Sequence, residues 1–414
     1  MWVSACVAVA FGAAHAEEPA ARTPQPSHAP PGFTLRVVTF NAFGIEGLSP
    51  AIDERMETIP AAIFALKPDV VLVQELWRTR DAKLFTERFH EAGFAEVRSF
   101  GSPHLYDEGR GGLFVASRYP FEDEAFVRFV DGTYPHIPIH VDWRGGKGFF
   151  TARITTPAGP IGVLNAHMQA SYETGHYEAT RIAQITQLSE TLRAGGANGV
   201  LRAADPLIVG GDLNALPQDP SMRLLELATG VHIGESYVQT DLLAARNGER
   251  LRITPAKTKR VLLDPLRLPD GSAVPLSDHE GLLVEYSVGE LDAGQPAHEI
   301  DGDAVLAAVR AELAADRRRT SWLRLGTAIG AVLSLAIAVR SSRWIRSRPR
   351  RRERALALAF SLWCTFWCMW WAYTSIVFAP HQLAMIRRAE STLASYVSPL
   401  QPSEAPRPEA PSTP

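Results

Sequence analysis

Glu75, His167, Asp212 and the adjacent pair Asp278 and His279 are the residue types that bind a cation, activate water and protonate a leaving group. Each sits at the edge of an apolar run. KPDVVLVQELW delivers Glu75, TFNAFG delivers Asn41, NAHMQAS delivers His167, GGDLN delivers Asp212 and Asn214, and LSDHE carries Asp278 and His279. A run rich in Val, Ile, Leu or Phe that ends on a polar residue is how a buried strand hands a side chain to a site at the rim of a sheet. Taken singly, such an Asn is more often a turn former and such a His a satisfied structural group. Five deliveries in one stretch of chain argue for a site.

The set suits attack on a phosphodiester, where charge on the phosphate must be neutralised, water deprotonated and the departing oxygen stabilised. Glu75 with the neutral amide of Asn41 is a sparse oxygen-donor set of the kind that suits Mg2+, with Mn2+ as the alternative. Zn2+ would call for a cluster of His or Cys, and none stands at ligand spacing. His279 is the candidate general base, because imidazole titrates nearest to working pH. Asp278 is then free to face the metal, since successive residues of an extended chain point oppositely. His167 is placed to give a hydrogen bond or proton to the phosphoryl group or the leaving oxygen. Asp212 and Asn214 alternate on one face, where a carboxylate orients water or histidine and an amide grips a phosphoryl oxygen.

The elements that must position these residues read as an interleaved α/β pattern. LRVVTFNAF, DVVLVQEL, GGLFVASRY, GFFTARITT, IGVLNAHM, PLIVGGDL and GLLVEYSV predict strands, and helical periodicity marks 53–66, 80–92, 175–193 and 220–229. Ahead of this domain, residues 1–16 are a short apolar run closing on Ala14, His15 and Ala16, a signal-peptide pattern without a basic start. Residues 17–32 read as a disordered linker, 33–288 as the catalytic domain and 289–304 as a second linker.

Beyond it, 322–339 and 355–379 are each apolar enough to span a bilayer. Eight Arg between Arg340 and Arg354 form the joining loop, and 380–414 is a tail, disordered toward its end. The positive-inside rule puts the Arg-rich loop in the cytoplasm and the catalytic domain on the exported face. Twelve of the Arg lie in 317–354, and the rest of the chain holds 30 basic against 44 acidic residues. That acidic balance speaks against nucleic acid as a partner, because phosphate neutralisation supplies most non-specific affinity. The three cysteines, Cys6, Cys364 and Cys368, all lie in apolar segments, so no disulfide framework or thiolate metal site exists in the catalytic part.

In the order Asn41, Glu75, His167, Asp212 with Asn214, and Asp278 with His279, the chain resembles the endonuclease/exonuclease/phosphatase superfamily over roughly residues 34–288. SRYPF at 117–121 is similar to a recurring phrase of that family. The resemblance implies an α+β fold: a four-layer α/β sandwich of two β-sheets flanked by helices, DNase I-like, here followed by a transmembrane helical hairpin. Within the superfamily, GTYPHIPIHVDWRGGKG at 132–148, NAHMQASY and YEATRIAQITQL look like the neutral sphingomyelinases. In those relatives an Asp and a Lys five apart act in switching the site, which points to Asp142 and Lys147; a solvated hairpin tip is the alternative. The family's Ile-Asp-Tyr phrase, whose Asp supports the catalytic His, is missing. Asp264 in VLLDPLRL is the nearest substitute, with Pro265 in place of the Tyr, and another carboxylate or none are the other options.

The resemblance implies a phospholipid substrate at a membrane: a metal-dependent cleavage of sphingomyelin or a related lipid to ceramide and phosphocholine. A nuclease or a phosphoinositide phosphatase of the same superfamily is the first alternative. A catalytically impaired, membrane-anchored lipid-binding module is the second.

Overall fold

The runs VVTF and VVLV hold one polar side chain, Thr39, which is itself buried, so the strands they form are covered on both sides. Strands β1 (Phe33–Asn41) and β2 (Val70–Gln74) pair in parallel, from Val37 opposite Val70 to Asn41 opposite Gln74, with helix α1 (Ile52–Ala65) as the crossover. The same unit recurs as β7 (Gly159–His167), helix α3 (Glu178–Arg193) and β8 (Leu207–Asp212), ending with His167 opposite Asp212. The computed structural model describes residues 32–397 except 101–110, 133–136, 138, 139, 141, 143, 144, 173–176, 195–200, 203, 292–299 and 347–350. The expected signal peptide, nearly all of the first linker and the tail beyond Val397 lie outside the described residues.

Antiparallel strands complete two mixed six-stranded sheets. The first runs β11 (Leu251–Val261), β14 (Gly281–Glu290), β1, β2, β4 (Leu113–Ser117), β3 (Glu96–Phe100). The second runs β5 (Phe121–Arg128), β6 (Gly148–Thr156), β7, β8, β10 (Asp241–Arg246), β9 (Tyr237–Val238). A small ribbon of β12 (Leu266–Arg267) and β13 (Ala273–Val274) stands apart. Leu35, Val37, Leu72, Phe150, Val163, Ile208 and Leu243 fill the space between the sheets. Helices α1 and α2 (Thr79–Glu91) cover the outer face of the first sheet through Met56, Ile59, Phe85 and Phe89. Helix α3 and helix α4 (Pro220–Thr229) cover the outer face of the second. This is the four-layer sandwich implied by the resemblance.

The C-terminal part departs from the expected boundaries. Helix α5 runs unbroken over Gly302–Arg346, 45 residues or about 68 Å, so the predicted span 322–339 is only its middle. Helix α6 (Arg351–Tyr373) passes through a π turn at Thr374–Phe378 into helix α7 (Ala379–Val397), where the sequence marks only a tail. Of the expected Arg-rich loop 340–354, Arg340–Arg346 belong to α5 and Arg351–Arg354 to α6, and 347–350 lie outside the described residues. Helices α5 and α6 pack closely: a Cβ on Gly330 would fall 2.4 Å from the Trp371 indole, and the Cys368 thiol donates to Ala331 O at 3.3 Å. Two helices here are long and apolar enough to cross a membrane. The bases of the hairpin, Val305, Leu306, Val309 and Leu313 of α5 with Met385, Ile386, Ala389 and Leu393 of α7, belong to the same core as α3. Their spacing of three and four residues puts one apolar stripe of each helix against the domain.

Candidate active site

Parallel pairing sends the carboxyl ends of β1, β2, β7 and β8 to one rim, and the four polar residues found there arrive from two facing sheets. Glu75 leaves β2 with φ 58°, a left-handed conformation that is costly for a side chain of this size. It is held by Gly44, whose N–H donates to Glu75 O at 2.9 Å and whose missing Cβ would lie 2.3 Å from that oxygen. Gly211 does the equivalent work in β8: at φ +127°, a Cβ there would meet Ala166 O at 2.0 Å, so only glycine lets β8 close on β7 beneath His167.

His167 Nε2 stands 3.7 Å from Glu75 Oε1 and 3.6 Å from Asp212 Oδ2, too far for hydrogen bonds. Both its ring nitrogens and Glu75 Oε2 are buried without a hydrogen-bond partner. Atoms bound about 2.1 Å from a shared cation lie about 3 to 4 Å apart, which is the spacing of these three groups. Orphaned buried atoms at that spacing fit a divalent cation, and the imidazole nitrogen admits Mn2+ as readily as Mg2+. Burial pushes the Glu75 carboxyl up to about 7, with Lys147 and the Asn41 amide pulling the other way. Burial first, then Lys147, holds His167 well below its ordinary value, so its ring is neutral. Asp212 stays anionic: burial opposes its charge, but neighbouring His167, His279 and Lys147 outweigh that. It accepts from Asn41 Nδ2 at 3.0 Å, Asn214 N at 2.9 Å and Thr240 Oγ1 at 3.0 Å. Asn41 Oδ1 accepts the Phe43 N–H at 2.9 Å, which fixes the amide and leaves its second lone pair.

His279 lies across Asp212 from this cluster, its Nε2 3.9 Å from Asp212 Oδ2. Its Nδ1 donates to Asp241 Oδ2 at 2.6 Å. Burial works against the charged ring, yet the Asp241 bond and the charges of Asp212, Asp241 and Asp278 hold His279 up to about 10. Asp241 itself is fully buried, and burial raises it. Asp241 is therefore the carboxylate that the missing Ile-Asp-Tyr phrase left unassigned. Asp264, the substitute expected from sequence, is exposed on the strand-end loop beyond β11. A legible signal existed in TDLLAA: β10 runs antiparallel to β8, so the polar residue at the rim comes first in its strand, not last. Asp278, expected beside the metal, is exposed and joins neither carboxylate–histidine cluster among the described residues; its side chain accepts from Ser277 Oγ at 3.2 Å.

Asp142 and Lys147 come together, with Lys147 Nζ 2.9 Å from Asp142 Oδ1 and donating to Met168 O at 2.7 Å. Asn214 Nδ2 donates to the same carbonyl at 2.9 Å. Lys147 is 7 % exposed, which removes the solvated-tip alternative for it. Two further residues escaped the sequence reading. Trp77, two beyond Glu75, lies over His167 with ring centroids 6.1 Å apart, and a Cβ on Gly112 or Gly145 would strike it. Arg55, buried in α1, donates to Ala42 O at 3.0 Å, Phe43 O at 2.8 Å and Leu276 O at 2.8 Å, tying the Asn41 loop to the His279 loop.

Residues 38–279 match the Endonuclease/Exonuclease/phosphatase family. A candidate neutral sphingomyelinase of Drosophila melanogaster is 27% identical over 285 residues, covering 62% of this chain and 62% of its own length. Sphingomyelin phosphodiesterase 2 of Mus musculus is 25% identical over 70% of this chain and 75% of its own length. The match thus spans less than two thirds of the Drosophila relative. Among solved structures, sphingomyelinase C from Streptomyces griseocarneus superposes with a TM-score of 0.46 at 20% identity, over 61% of this chain and 99% of that one.

Proposed function

The chain belongs to the endonuclease/exonuclease/phosphatase family, and from that premise we propose that it is a membrane-anchored, divalent-metal-dependent phosphodiesterase that hydrolyses sphingomyelin or a related phospholipid to ceramide and phosphocholine. The observation that carries the reading is the buried Asp241–His279 pair facing Glu75, His167 and Asp212 across one rim. The relatives named above make sphingolipid the preferred substrate class.

Glu75 would hold the cation, with Asn41 beside it and Asp212 in the same cluster. A bound Mg2+ or Mn2+ supplies positive charge that neutralises the phosphate and lowers the pH at which His279 releases its proton. Asp241 fixes the tautomer, so that Nε2 of His279 takes the proton as the water oxygen attacks phosphorus. The bond from phosphorus to the ceramide oxygen breaks, and that oxygen takes up a proton from solvent and leaves as the alcohol, while His279 returns to solvent the proton it removed from the attacking water. His167, neutral and beside Trp77, would either hold the cation through Nε2 with Glu75 and Asp212 or give its one N–H to a phosphoryl or leaving oxygen; Asp212 orients the attacking water and His279. Asn214, with Asp142 and Lys147, shapes the substrate side. Asp278 acts only through its charge on His279.

The signal-peptide pattern and the Arg-rich loop support a catalytic domain on the exported face. Side-by-side assay of the purified protein on sphingomyelin, phosphatidylcholine, phosphoinositides and plasmid DNA with Mg2+ tests the reading. Sphingomyelin is expected to turn over fastest, and His279→Ala to remove turnover while lipid binding persists. Preference for DNA or for phosphoinositide monoester cleavage would overturn it.

A further inference from the structure

The hairpin leaves the domain at the same end as the catalytic rim. Helix α3 starts just past that rim and runs away from it. Helix α7 lies along it, with Phe378 and His381 against Tyr177 and Thr180 at the rim end and Thr392 donating to Glu190 at 2.8 Å farther down. Helix α5 starts at the far end, where Gly302 faces Leu227 in the last turn of α4, and climbs with Val305, Val309 and Leu313 buried. At Asp316 it accepts from Gln382 Nε2 at 2.9 Å, level with the rim end of α3. Past the exposed Arg317, Arg318 and Arg319 the helix surface becomes apolar and exposed from Trp322 onward. Trp322 stands about 9 Å beyond Asp316 at 1.5 Å per residue, and Ile376 and Val377 immediately precede Phe378 on the returning chain.

The distribution of exposed apolar side chains points the same way. Among the described residues of the catalytic domain, the large exposed hydrophobics are Leu48, Val130, Leu216, Tyr237 and Leu263. Every one lies at the rim end. Leu48 is in the loop after β1 and Leu216 in the loop after β8. Val130 follows β5, whose Arg128 pairs with Gly148 near the His167 end; Tyr237 pairs with Leu242, next to Asp241; Leu263 follows Val261, which pairs with Gly281. None lies on the turns at the opposite ends of the sheets. Apolar side chains gathered on one face mark a surface with a partner. Next to Val130, Asp131 is ion-paired with Arg388 of α7, which ties this rim to the hairpin. Arg318 and Arg324, exposed at the start of the apolar belt, suit lipid phosphates.

We propose that the hairpin is a rigid pedestal that presses the cleft rim against the headgroups of the bilayer it spans, so that the phosphodiester cleaved belongs to a lipid of that same leaflet. The substrate class rests on the function proposed above; the orientation does not. The continuous α5, buried in the shared core from Val305 to Leu313, joins the catalytic rim and the apolar belt in one packed body.

The test uses the full chain in vesicles of phosphatidylcholine and sphingomyelin, with Cys6, Cys364 and Cys368 changed to Ser. An environment-sensitive label is placed through Leu216→Cys or Val130→Cys at the rim, and through Pro157→Cys or Glu249→Cys at the far end. Headgroup-nitroxide lipids are expected to quench the rim labels several-fold more than the far-end labels. Hydrogen exchange on the unmodified chain is the check that needs no variant: loops 45–50 and 213–218 are expected to gain protection in vesicles over detergent. Equal quenching at both ends, or no added protection, would overturn the pedestal. In mixed vesicles, cleavage is expected only in those that carry the protein. Cleavage of every vesicle alike with unquenched rim labels would sink the pedestal and leave the proposed function standing. Quenched rim labels without cleavage of any phospholipid would support the orientation and sink the substrate reading.

Discussion

Glu75 carries the sharpest consequence at the scale of single residues. Its carboxyl is raised to about 7 by burial, so the folded protein holds a proton there that the unfolded chain gives up near its ordinary value of 4.5. Stability therefore falls as pH rises from about 4.5 to 7 and stays reduced above that, unless a cation replaces the proton. Mg2+ or Mn2+ is expected to raise Tm clearly at pH 8 and hardly at pH 5, and Glu75→Ala to erase the difference; a calorimetric scan with and without metal decides it. His279 has the same sign in a higher pH window. Its bond to Asp241 contributes stability that is complete below about pH 6.5 and is lost as pH rises through about 10. Asp241→Asn removes that hold, so the acid limb of kcat/KM should move to lower pH while kcat falls about 10²- to 10⁴-fold. An unshifted acid limb would deny Asp241 its role. Glu75, Asn41, His167, Asp212 and His279 were legible because each ends or begins an apolar run. Asp241 was missed because LLAA is a short apolar run that reads as a strand only once its pairing with β8 is known. Arg55 was missed because nothing in a sequence marks which arginine will be buried among carbonyl groups.

At the scale of elements, the two parallel βαβ units do the positioning. Asn165 of β7 crosses to the first sheet, donating to Val73 O at 3.1 Å and Phe114 O at 3.2 Å while accepting from Gln74 Nε2 at 2.7 Å, so the sheets are locked in register beneath the site. Such a buried polar network allows no sliding without leaving groups unpaired. Gly211→Ala is expected to force β8 away from β7 by its close approach to Ala166 O, costing several kcal/mol in chemical denaturation and most of the activity. Long strands with continuous apolar runs were readable from sequence, and β10 and β11 were not. Their junction carries Asn247 and Gly248, a turn signal, but β11 reads LRITPAKTKR, whose charged half looks like loop until β14 is known to pair with it. At the first turn of α3 Glu178 and Arg181 are buried as an ion pair at 2.8 Å, because Glu178 also accepts from Ser221 N of α4 at 2.7 Å and Arg181 donates to Gln169 O at 3.1 Å.

For the whole molecule, the catalytic domain and the hairpin are one packed body. Leu313→Ala, far from the chemistry, is expected to cost about 2 to 5 kcal/mol because it opens a cavity in the core shared by α3 and α5. Truncation after Glu290 would uncover the outer face of α3 and α4, and the fragment is expected to aggregate on size exclusion where the full chain in detergent does not; a monodisperse fragment with unchanged Tm would refute the shared core. Local sequence determined the chemistry-bearing residues, most of the sandwich strands and the two apolar spans, because burial on both faces and length against a bilayer leave their mark on consecutive residues. Only the tertiary structure decided which carboxylate partners His279, and that the two long apolar helices stand on the domain at the end where the catalytic rim lies. Those facts depend on strand direction and on contacts between segments distant in sequence, such as Asp131 with Arg388, and no run of neighbouring residues encodes them.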